Sequence, residues 1–124
     1  MKLKIDNSSV STLFSLVQNV SEVKIAIESQ ETILVQVEIE MKELNGESDA
    51  VDRDVARKAQ LLREGSMEGL KELLHLQWLQ QESRKKVAAA EMKLAGIRTS
   101  LAMLDDELDS LQKRIDAVLQ GHKA

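Results

Sequence analysis

Eight apolar residues, Leu94, Ile97, Leu101, Leu104, Leu108, Leu111, Ile115 and Val118, recur at alternating steps of three and four. That spacing is the a/d seam of a coiled coil, with no polar interruption. Around it lie Lys93, Arg98, Asp105, Asp106, Asp109, Lys113 and Arg114, a solvated charged face. A helix with such a seam is not stable alone in water, because the seam must be covered by another helix. The sequence therefore predicts an all-α, helix-pairing protein, with these eight residues as the candidate partner or oligomer interface.

A second run lies near the N-terminus: Leu13, Leu16, Val20, Val23, Ile27, Gln30, Leu34, Val37, Met41 and Leu44. Gln30 is its one polar entry. Beside it, Val10, Val17, Ala26 and Ile33 widen the apolar stripe toward a bundle of three or four helices. The segment TILVQVEIE also reads as an alternating strand, but the heptad phase runs through it unbroken. The chain has no proline to forbid long helices, so its five glycines are the main punctuation. Aromatic residues are only 2% of the chain, which suits narrow helix seams better than a thick globular core.

The expected architecture is a single domain over 1–124, a long antiparallel helical hairpin or coiled coil completing a bundle by oligomerisation. Residues 1–8 read as a loose arm, with Ser8, Ser9 or Ser11 capping the first helix. The first helix is expected over about 9–45 and is closed at Asn45-Gly46, residues that accept the left-handed conformation. A loop over 45–50 follows. A second helix, about 51–64, starts at Asp49 or Asp52 and carries Val55, Ala59 and Leu62 inward. Turning back there brings Arg53, Arg57 and Lys58 near Glu38, Glu40 and Glu43, a hint of antiparallel register.

Glu64-Gly65-Ser66-Met67-Glu68-Gly69 places two glycines within five residues, costing about 2 kcal/mol in a helix interior. The expectation is a kink or short break at 64–69 with Ser66 capping the restart; the alternative is one helix from 52 to 120. The last helix, about 67–120, takes Met67, Leu70, Leu74 and Trp78 as its first inward face, with Trp78 a core anchor and Phe14 just off the first seam. A polar interval, Gln80 to Lys86, and an alanine-rich turn, Val87 to Ala90, precede the C-terminal seam, and Gly121 closes it with cations at the dipole's negative end. A hairpin folded at 45–50 leaves that seam uncovered. Three remedies exist: a second copy, a fold-back at Gly65, or a helix from another protein.

Chemistry is sparse. Glu72-x-x-His75 has the spacing of a helical metal ligand pair, but a di-metal bundle needs two such motifs and further inward carboxylates. The acids Asp105, Asp106, Glu107 and Asp109 fan outward from a helix and do not converge on an ion as a calcium loop does. No phosphate loop, cysteine nucleophile or oriented serine–histidine pair is present. The reading is a non-enzyme with no cofactor and no metal site. A net charge of −4 and a lone basic cluster, Arg84-Lys85-Lys86, argue against nucleic acid. No stretch is long and apolar enough for a membrane span, the N-terminal segment lacks a signal-peptide core, and cysteine is absent, so a cytoplasmic setting is expected.

In size, acidity and its two heptad runs, Leu13–Leu44 and Leu94–Val118, the chain resembles the small all-helical chaperones and stalk-like coiled-coil subunits of bacterial type III secretion systems. The resemblance implies a cytoplasmic adaptor, chaperone or assembly subunit that keeps a helical partner soluble before export or regulates that export. The expected partners are a second copy, as dimer or tetramer, or a helical protein. The alternative is a purely structural homo-oligomer, a scaffold or filament subunit.

Overall fold

A computed structural model describes residues 7–65, 67 and 69–121. Two helices, α1 (Asn7–Arg63) and α2 (Leu70–Gly121), pack against each other as an antiparallel hairpin, and all regular structure among the described residues is helical. The expected arm over 1–8 lies largely outside the described residues, as do the Ser66 cap and the terminal cations.

The expected loop at 45–50 does not form. Helix α1 runs unbroken through Asn45 and Gly46, so the separate helices over 9–45 and 51–64 are one helix of 57 residues. The seam explains why. After Leu44 it continues in phase through Ser48, Val51, Val55, Ala59 and Leu62, all half-buried. A single exposed glycine costs a helix only about 1 kcal/mol, less than the packing that a continuous seam preserves. The predicted cross-loop ion pairs are replaced accordingly: Arg57 pairs with Asp54, and Lys58 with Glu72.

The chain reverses instead where the break over 64–69 is expected. Gly65 and Gly69 have φ of 90° and 88°, a left-handed region that costs a side chain roughly 1–2 kcal/mol. The Gly65 amide donates to the Leu62 carbonyl at 3.0 Å, which tightens the last turn of α1. The Leu73 amide donates to the Gly69 carbonyl at 2.9 Å, the first bond of α2. At the far end Gly121 is the last helical residue and is not left-handed, unlike the expected cap.

Two compact units divide the hairpin. One joins the described residues up to Leu34 with those from Ile97 onward. Its core is Leu16, Val23 and Leu111, with Val20, Ile27, Leu104, Leu108, Ile115 and Val118 packed around them. These are the seam residues that the heptad phase selects on both helices.

The other unit is Val35–Gly96, including the turn. Its buried side chains are Val37, Leu73 and Ala90. Here the seam is partly polar. Gln80 Nε2 donates to Asp52 Oδ1 at 2.6 Å in a part-buried bond, and Arg84 lies 3.8 Å from the same carboxylate. Lys58 Nζ stands 2.7 Å from Glu72 Oε2. Directional contacts of this kind fix register where apolar contacts alone tolerate sliding.

Candidate interaction surface

The eight residues from Leu94 to Val118 are all buried or half-buried. Leu104, Leu108, Leu111, Ile115 and Val118 pack with Leu16, Val20, Val23 and Ile27 of the same chain. The seam thus has an intrachain partner, by the second of the three remedies. The length mismatch disappears as well, because α1 has 57 residues and α2 has 52.

The inward face at the start of α2 also differs from expectation. Stepping back from Leu94 in the same phase gives Ala90, Val87, Ser83, Gln80, Leu76 and Leu73, and each is buried or half-buried. Leu70, Leu74 and Trp78 lie on another face and are 40%, 59% and 56% exposed; Met67, just ahead of the helix, is 70% exposed. Trp78 is therefore a surface residue and not a core anchor. Phase decided this against side-chain size: a helix lying along one partner keeps one seam direction, even where that seam holds Gln80 and Ser83. The Asp52 carboxylate compensates by accepting from Gln80.

Among the described residues seven hydrophobic side chains are buried and thirteen large ones are exposed. Scattered exposure is ordinary, but rows are not. Leu70, Leu74 and Trp78 stand at steps of four, one above the other on a helix. The His75 and Trp78 rings stack with centroids 6.1 Å apart and an interplanar angle of 17°. In the other unit Val10, Phe14 and Val17 form a shorter row on α1, with Phe14 exposed by 72%. Ala26 and Ile33, expected beside Val10 and Val17, are half-buried.

The polar groups near the turn have local partners. An open groove is lined by Asp54, Arg57, Lys58, Lys71, Glu72, His75 and Leu76. The Lys58 ammonium donates a hydrogen bond to Glu72 and adds its charge, and together these hold the Glu72 carboxyl below the usual glutamate range. Glu72 thus engages a lysine while His75 engages an indole, so the Glu72-x-x-His75 pair does not converge on one point. Among the described residues no three histidine, aspartate or glutamate side chains are grouped to hold a metal ion. Asp109 pairs with Lys113 on the outer face of α2. Among the described residues no helix is long and apolar enough to cross a membrane.

The exposed row was legible in the sequence only by extending the Leu94 phase through the polar interval, which identifies Leu70, Leu74 and Trp78 as out of phase. Comparison with known proteins finds no match: no family model, no curated protein and no solved structure.

Proposed function

We propose that this chain is a non-enzymatic coiled-coil interaction protein, an adaptor, chaperone or assembly subunit that offers an outer apolar helix face to other helices. The supporting observation is the row Leu70, Leu74 and Trp78, exposed on a hairpin whose own seam is already occupied. Placing a tryptophan and two leucines in water has no folding benefit, whereas buried aromatic and aliphatic anchors dominate helix-in-groove recognition. The resemblance to the helical chaperones and stalks of bacterial type III secretion systems extends the proposal to a cytoplasmic role in handling a helical export partner.

An environment-sensitive apolar dye tests the reading. At low protein concentration the wild-type chain is expected to bind the dye, and Leu74→Gln with Trp78→Gln to lose most of that binding while keeping full helicity. Equal dye binding by both proteins overturns it. Open-ended growth of particle mass with concentration, seen by light scattering, supports the scaffold or filament alternative instead.

A further inference from the structure

We infer that the seam has a second possible partner, another copy of this chain, reached by opening the turn at Gly65 and Gly69. In that form α1 and α2 join as one helix, and two chains pair antiparallel, each α1 against the other chain's α2. The seam has the phase for it. From Leu62 the steps to Ser66, Gly69 and Leu73 are four, three and four, so the stripe runs through the turn without slipping. Between Leu44 and Leu94 it departs from alternation once, at Val55 to Ala59, and a coiled coil absorbs such a stutter by unwinding locally. A turn makes no such demand, because the two helices it joins can carry their seams in any phase.

The contacts are also symmetric about the turn. Asp52 and Gln80, bonded at 2.6 Å, are centred in sequence on Ser66; Lys58 and Glu72, 2.7 Å apart, are centred on Gly65. A two-fold axis between Gly65 and Ser66 therefore re-forms both contacts between chains, twice over. It also sets Leu44 over the partner's Val87 and Val55 over the partner's Leu76, seam on seam. The two forms share this packing and differ at 64–69.

Two terms favour the hairpin. Gly65 and Gly69 hold φ of 90° and 88° without the cost a side chain meets there, and each weakens a helix drawn through it. A short turn also keeps α2 beside α1 at a roughly millimolar effective concentration. The glycines are thus the switch that suppresses the two-chain form.

The test is refolding from urea at about 5 μM, with mass read by light scattering and topology by Asp52→Cys with Gln80→Cys. The hairpin closes this disulfide within one chain, which runs as a monomer on a denaturing gel. The two-chain form closes it between chains and runs as a covalent dimer. Chains with the native glycines are expected to give only the monomer; a covalent dimer there overturns the role of the glycines. Gly65→Ala with Gly69→Ala is expected to lower the half-association concentration by about a thousandfold or more and to give the covalent dimer. A monomeric mass, or a doubled mass with disulfides still within chains, overturns the proposal. A second pair of variants decides if the double alanine does not refold. Deleting 63–69, one heptad, removes the turn and leaves Leu62 and Leu73 a seam step apart; it is expected to be a helical, covalently linked dimer. Deleting 63–67 removes the turn but puts the two seams out of phase, and is expected to unfold at lower urea. Equal midpoints for the two deletions, or loss of helix in the first, overturn the continuous seam.

Discussion

Replacing Leu111 with alanine asks which surface the C-terminal seam faces. Leu111 is 4% exposed and sits with Leu16 and Val23. Losing three carbons forfeits about 2.4 kcal/mol of transfer free energy at ~0.8 kcal/mol each. A cavity adds to this, but its walls, Leu104, Leu108 and Ile115, are only half-buried and close part of it. The expected loss is about 3 kcal/mol, in the lower half of the range for such substitutions. With a urea slope of about 1.5 kcal/mol/M the midpoint falls by about 2 M. The assay is urea unfolding followed by helical circular dichroism at two protein concentrations, about 5 μM and about 200 μM. The loss is expected to be the same at both, because the contacts are within one chain. A loss below about 1 kcal/mol, or one that appears only at the higher concentration, refutes the intrachain seam. Phe14→Ala, at a side chain 72% exposed, is the control and is expected to change stability by less than about 0.5 kcal/mol.

The glycines give a pair of opposite signs. Gly46→Ala adds a methyl that meets nothing within 4 Å in a helix interior, so it is expected to raise stability by about 0.5–1 kcal/mol in a thermal melt. Gly65→Ala forces a side chain to φ of 90° and is expected to lower it by about 1–2 kcal/mol; equal effects at the two sites contradict the placement of the reversal. The Glu72 carboxyl has a folded pKa below its unfolded one, so its contribution is present above the unfolded value and is lost as pH falls through the folded value. Urea midpoints of wild type and Glu72→Gln are therefore expected to differ at pH ~6 and to converge as the pH falls below the folded value; a constant difference assigns the effect to something other than the Lys58 pair. Gln80→Ala is expected to cost about 0.5–1 kcal/mol in urea unfolding by removing the 2.6 Å bond to Asp52, whose carboxylate stays partly hydrated and near Arg84, and a neutral outcome removes that bond as a register contact.

Much of the fold was legible in the heptad phase. Every residue from Leu13 to Leu44 that the phase selects is buried or half-buried, and so is every one from Leu94 to Val118. Periodicity identifies an inward face because a helix repeats its geometry every turn, whatever it packs against. It does not say what covers that face. The candidate interface was read as a surface for another molecule, and the structure instead sets its C-terminal part against Leu16, Val20, Val23 and Ile27.

The amino-acid sequence alone determined that the chain is helical and which residues form its seam, and it marked 64–69 as a place where the helix breaks. Only the tertiary structure decided which glycine reverses the chain and which row of α2 faces inward. A turn signal such as Asn45-Gly46 has a local free energy of about 1 kcal/mol. The contacts of a continuous seam are many and are realised only against a partner helix, so their sum overrides the local signal at Gly46 and leaves Leu74 and Trp78 outside. At Gly65 and Gly69 the local preference is unopposed, because the seam positions that follow Leu62 in sequence are Ser66 and Gly69 and offer no large apolar side chain, and there the chain turns.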